Sequence, residues 1–167
     1  MRHLSIQSRG LMTIALDECG QLFMQDGRSA NFNPLAPPPC PLGIFSIAPA
    51  GLVGSSTNSS ESSSWILPIN VATNNPSDTW ECLNISRCKE MVANEYIWAG
   101  LDEADRVYTG CFNRQNPTQI SPMDPIANPS RLAANNYGVF IASDGVTFLS
   151  SSTGAMGQYG PWTKCTP

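Results

Sequence analysis

Charge is what this chain has least of. Of its 167 residues, 13% are Asp, Glu, Lys or Arg, roughly half of the ~25% usual in a globular protein. The net charge is −4 and no basic cluster interrupts it, so the footprint of a nucleic-acid binder is missing. The one histidine is His3, near the N-terminus. Ser-His-Asp, Cys-His and multi-His metal schemes therefore have no credible base or ligand set. Cys-x-x-Cys spacing is absent, which argues against structural zinc. No apolar run approaches the roughly 18 residues of a membrane-crossing helix, so membrane insertion is not expected. Residues 11–16 are too short for a signal-peptide core of about 7 to 15 residues, so no secretion signal is expected.

Gly, Pro, Ser, Thr and Asn fill the space that charge leaves. Such a composition favours turns and strands over helices and gives a neutral, hydrogen-bonding surface. Residues 1–10 read as an extended arm. Residues 11–16 and 21–24 suggest a hairpin around a turn at 17–20. Pro34, Pro37, Pro38, Pro39 and Pro41 punctuate 31–41, a polyproline-like arm that either connects or docks. A short strand is expected at 43–48. Residues 51–64 form a Ser-rich loop holding the sequon Asn58-Ser59-Ser60. Residues 65–72 read as a strand that Pro68 restricts to an edge or a bulge.

The stretch from Trp80 to Phe112 brings a helix signal, strand signals and cysteines together. Asp78 followed by Glu81 makes a capping-box pattern. Leu83, Cys88, Met91 and Val92 then fall near one face of a 3.6-residue period. The spacing predicts the principal helix over about 79–93, with a second sequon, Asn84-Ile85-Ser86, inside it. Tyr96, Ile97 and Trp98, closed by Gly100, read as a buried strand, 102–106 as a polar loop and 107–112 as a second strand. Beyond an irregular stretch at 113–128, residues 129–134 could make one helical turn. Asp144-Gly145 between the apolar runs 137–142 and 146–149 is a strong hairpin signal. Ser86 to Tyr96 and Ser130 to Tyr137 echo each other faintly, SRC…ANEY against SRL…ANNY, with unequal spacing. The tail, 150–167, is Gly/Ser-rich yet carries Tyr159, Trp162 and Cys165, which suits a tail that docks.

Cys88, Tyr96, Trp98, Ala99, Gly100, Leu101, Cys111 and Phe112, a cysteine-bearing helix followed by two strands, resemble the second half of the WSC and PAN/apple disulfide modules. The likeness covers about a fifth of the chain. The places of a further bridge in WSC modules hold Val92 and Asn113 here. The resemblance implies a non-catalytic, often carbohydrate-binding or cell-surface role.

Cys19, Cys40, Cys82, Cys88, Cys111 and Cys165 are an even set whose pairing sequence leaves open. Cys88 with Cys111 is the preferred bridge, and six reduced thiols packed as small hydrophobes are the alternative. Asp102 to Asp105 spell DEAD without any phosphate loop and lack EF-hand spacing, so the loop reads as solvated rather than nucleotide- or calcium-binding. Glu95 with Asp102 would make a glycosidase pair only if geometry allowed. Trp65, Trp80, Trp98 and Trp162 could stack on a glycan, but Trp80 and Trp98 lie in patterned segments that favour core.

The sequence thus predicts a single mainly β (α+β) domain over 1–167, with antiparallel strands, one principal helix, long ordered loops, an N-terminal arm at 1–10, a Pro-rich arm at 31–41 and a docking tail at 150–167. No catalytic, cofactor or metal site is expected. The function expected is that of a non-enzymatic subunit clamped to other protein subunits in multiple copies, as in a virion decoration or tail protein, through Pro37, Pro38, Pro39, Tyr159 and Trp162. The alternative is an extracellular or luminal adhesion or glycan-binding module.

Overall fold

The computed structural model describes residues 3–56, 64–95, 97–112, 118–119, 126–136, 138–153, 158–159 and 162–165. The sequon at Asn58 and most of the irregular stretch at 113–128 lie outside them. All regular structure among the described residues is β.

Four antiparallel sheets follow one another along the chain. Sheet 1 holds β1 (His3–Arg9), β2 (Met12–Asp17), β3 (Leu22–Asp26) and β4 (Asn33–Pro34). Sheet 2 holds β5 (Leu42–Ala48), β6 (Gly51–Ser56), β7 (Ser64–Asn70), β8 (Asn75–Pro76) and β9 (Glu81–Cys82). Sheet 3 holds β10 (Cys88–Ala93), β11 (Ile97–Asp102), β12 (Val107–Cys111) and β13 (Thr118–Gln119). Sheet 4 holds β14 (Pro129–Asn135), β15 (Gly138–Ser143), β16 (Val146–Thr153), β17 (Gln158–Tyr159) and β18 (Thr163–Lys164). A unit of about 40 residues therefore recurs four times, each a meander whose first strand lies beside the first strand of the next.

Cores lie between the sheets. Ile14, Leu16 and Leu22 of sheet 1 meet Leu42, Phe45, Leu52 and Leu67 of sheet 2. Val53 and Ile66 of sheet 2 meet Cys88, Met91 and Trp98 of sheet 3. Leu101 and Val107 of sheet 3 meet Ile141 and Phe148 of sheet 4. Polar ties join neighbouring sheets as well. Gln7 Nε2 donates to the Phe45 carbonyl at 2.7 Å, Cys88 N to Ser55 Oγ at 2.9 Å, and Leu132 N to Glu90 Oε2 at 2.7 Å.

The principal helix expected over 79–93 does not form. Thr79 N donates to Ser77 Oγ in a local turn, and Asn84 takes a left-handed φ of 53° that interrupts any helix. Met91 and Ala93 are buried while Glu90 and Val92 face the other way, the two-residue alternation of β10. A bulge between Cys88 and Glu90 supplies the extra residue that made the apolar spacing look helical. The helical turn expected at 129–134 is likewise a strand, β14. The helix that supported the likeness to WSC and PAN/apple modules is therefore absent.

Other expectations also change. The N-terminal arm is a paired strand, β1. The Pro-rich arm is partly stitched to sheet 1, through β4 and through a bond from Leu35 N to the Leu22 carbonyl. Pro37 and Pro39 are exposed and Pro38 is half-buried. Pro68 lies inside a sheet, but between the short reaches of β9, opposite Trp65 and Ile66, and β8, opposite Ile69 and Asn70, where its missing donor is tolerated. The tail docks on its own sheet: β18 pairs with β16, and Trp162 packs between sheets 3 and 4. Tyr159 pairs through its backbone with Ser152. The Asp144-Gly145 hairpin forms, with φ of 48° and 76°, the left-handed pair that a type I′ turn needs.

Candidate functional site

All six cysteines are free thiols. Cys88 pairs with Asp102 at one end of β11 and Cys111 with Ile97 at the other. Five residues of strand, roughly 17 Å, separate those positions, well beyond disulfide reach. Cys88 Sγ instead lies near Ser64 Oγ, and burial pushes its pKa up to about 11. Glu95 and Asp102 are held apart in the same way, at opposite ends of β11, too far for a glycosidase pair separated by about 5 to 9.5 Å.

The DEAD segment is a turn fastener. Asp102 is 1% exposed. Its Oδ1 accepts from Ala104 N at 2.9 Å and Arg106 N at 2.8 Å. Its Oδ2 accepts from Arg106 Nε at 2.7 Å and Tyr108 Oη at 3.3 Å. With these four donors in place, the carboxylate faces its own turn rather than a metal. Sheet 1 repeats the device. Asp17 Oδ1 accepts from Cys19 N at 2.9 Å and Gln21 N at 2.8 Å. Gly20 and Asp105, each three residues on, both have left-handed φ. Leu16-Asp17-Glu18 and Leu101-Asp102-Glu103 are thus one motif two units apart, the signal that would have exposed the repeat. The faint echo marks another repeat: Asn94 Oδ1 accepts from Ile97 N and Asn135 Oδ1 from Gly138 N, each leading from a first strand into a second.

A concave feature lies where the first strands end. A cavity of about 690 Å³ is lined by residues of β1, β5, the end of β10, β14 and the turns that follow: Gln7, Ser8, Arg9, Ser46, Ala93 and Asn136 among them. Among the described residues of the lining, Arg9 is the one charged group. It donates from Nη1 to the Ala93 carbonyl at 2.9 Å and from Nη2 to Asn136 Oδ1 at 3.0 Å, so it touches sheets 3 and 4 from sheet 1. Beside it, Arg9, Leu11, Met12, Met24, Asp26 and Pro49 help wall a largely apolar groove of about 210 Å³. Leu11, 62% exposed, and Val71, 59% exposed, occupy turns on this side. The sequence places Leu11, Met12 and Met24 in a hairpin and Val71 in a strand but marks none of these residues as a site, because the arm containing Arg9 has no pattern that sets it beside them.

Two further surfaces flank the stack. Ile6, Ala15, Phe23 and Pro34 form one cross-strand row on the face of sheet 1 opposite its core, exposed at Ile6 and Pro34, half-buried at Phe23 and fully buried at Ala15. Ala133, Phe140 and Leu149 form the corresponding row on the far face of sheet 4. Ile6 is 59% exposed in the middle of a paired strand.

No family model matches the chain, and no curated protein matches it. Among solved structures it is similar to human WBSCR16, with a TM-score of 0.65 and 10% identity over 90% of this chain and 48% of that one. It is also similar to yeast RCC1 (Prp20), solved with Kap60 bound to it, with a TM-score of 0.61 and 9% identity over 90% of this chain and 42% of that one. The chain spans less than half the length of each. At such identity the likeness concerns the fold, and that fold is β-propeller-like, here with units of four or five strands; propeller units stand side by side around a central channel.

Proposed function

We propose that the chain is a non-catalytic structural subunit whose two outermost sheet faces, exposed among the described residues at Ile6 and Ala133, are covered by neighbouring copies. The observation that carries this reading is Ile6, a large apolar side chain 59% exposed at the centre of a paired strand. Propeller units are stable because each sheet buries both faces against its neighbours. Sheets 2 and 3 have cores on both sides, whereas the rows through Ile6 and Phe140 lie on faces outside those cores. Both rows are apolar and free of acidic residues, so the face of sheet 4 on one copy can pack on sheet 1 of the next. That gives the clamping role which the composition suggests. A virion decoration or tail position, which rests on composition, is the assembly to examine first.

The test is sedimentation of the purified chain at rising concentration. Self-association that Ile6→Asp abolishes, with an unchanged unfolding midpoint, supports the reading. A monomer at every concentration sinks it.

A further inference from the structure

We infer that the channel mouth and the adjoining groove form a binding site for a peptide segment carrying a carboxylate next to an apolar side chain. The argument starts from Arg9. In a chain of net charge −4, the described residues at the mouth of the channel include one charged group, and it is a cation. Its two described partners, the Ala93 carbonyl and Asn136 Oδ1, are neutral. They fix the guanidinium in place without neutralising it. A guanidinium has five N–H donors in a rigid fork, and these two bonds occupy two of them. Such a fork suits a carboxylate.

The second half of the site is continuous with the first, because Arg9 and Gly10 line both cavities. Past Arg9 the wall changes character to Leu11, Met12, Met24 and Pro49. Two methionines give an adaptable apolar lining, and the 62% exposure of Leu11 leaves surface for a ligand to bury. The groove, at about 210 Å³, suits one aliphatic side chain rather than a whole small molecule. Asp26, two strands from Arg9 across Met12, would repel a second acid, which sets the order of the two groups. The occupant is therefore a protein segment with the acid over Arg9 and the aliphatic residue over Leu11. This proposal is independent of how the sheet faces are covered.

The probes are three labelled hexapeptides identical except at the centre, which reads Asp-Leu, Asn-Leu or Asp-Ser, titrated by fluorescence anisotropy. Asp-Leu should bind saturably, and each replacement should weaken binding about tenfold, the loss of one charge-assisted contact or one buried side chain. Arg9→Gln should abolish the preference for Asp over Asn. Leu11→Ser, on an exposed side chain, should abolish the preference for Leu over Ser. Should Arg9→Gln fail to fold, the peptide series on the unaltered chain and Leu11→Ser still decide the matter. Equal binding of Asp-Leu and Asn-Leu, or no saturable binding of any peptide, overturns the proposal. So does competition by succinate as strong as that of the unlabelled peptide, which would assign the mouth to a free carboxylic acid.

Discussion

Arg9 and Asn136 meet at 3.0 Å across 127 residues of chain. The bond joins the first strand of sheet 1 to the turn after the first strand of sheet 4, and the other Arg9 nitrogen reaches the end of β10. Three sheets thus converge on one guanidinium. Asn136→Ala should cost about 1 kcal/mol of stability in urea denaturation, the net worth of one exposed hydrogen bond. Combined with Arg9→Gln, the loss should be smaller than the sum of the single losses, because the two substitutions remove the same contact.

The paired turns give a graded test. Asp17→Ala removes an acceptor for two backbone donors and should cost about 2 kcal/mol. Asp102→Ala also removes an acceptor from Arg106 Nε and Tyr108 Oη, so its cost should be larger, about 3 kcal/mol, with part of the Arg106 contribution discounted because that side chain is half exposed. Chemical denaturation of the two variants side by side checks the order.

Gly110 is paired with Trp98, whose indole fills the space where a side chain would stand. A Cβ at Gly110 would lie 2.5 Å from Trp98 Cζ2. Trp98 is fully buried and cannot swing away. Gly110→Ala should therefore destabilise by about 1–3 kcal/mol through overpacking. At Gly10 a Cβ would meet open space, and only the left-handed φ of 60° opposes it. Gly10→Ala should cost about 1 kcal/mol. Thermal unfolding of both variants separates crowding from backbone strain.

Cys88 links stability to alkaline pH. Burial raises its pKa to about 11 from an ordinary 9.0; the Ser64 hydrogen bond opposes the shift and Asp102 adds to it. The folded state therefore holds its proton where the unfolded state has released it. Stability is complete below about pH 9 and falls as pH rises toward 11, by about 2–3 kcal/mol. Tyr108, raised chiefly by burial, acts in the same direction above its ordinary value of 10.0. Cys88→Ala should flatten the decline between pH 9 and 10, whereas Cys19→Ala, at an exposed position, should leave it unchanged. Thiol labelling at pH 8 should modify Cys19 first and Cys88 only on unfolding.

Local chemistry determined a good deal by itself. Strand character at 43–48, 65–70, 97–100 and 107–111 follows from β-branched and aromatic residues held between turn formers. Asp144-Gly145 fixed a hairpin because both residues accept a left-handed backbone. Low charge and abundant Gly, Pro, Ser, Thr and Asn pointed to a β-rich, turn-rich chain. The tertiary structure decided the remainder. The apolar residues at 83–93 satisfy a helical period and, with one bulge, a strand period, and only the waiting edge of β11 and the core of sheet 2 choose between them. The repeat was hidden because each unit needs only an alternating pattern and a turn, and the Leu-Asp-Glu turn of sheets 1 and 3 gives way to Ser143-Asp144-Gly145 in sheet 4. The channel mouth was invisible for a related reason. Arg9, Ala93 and Asn136 share no local pattern, and they become one site only when four sheets set their first strands side by side.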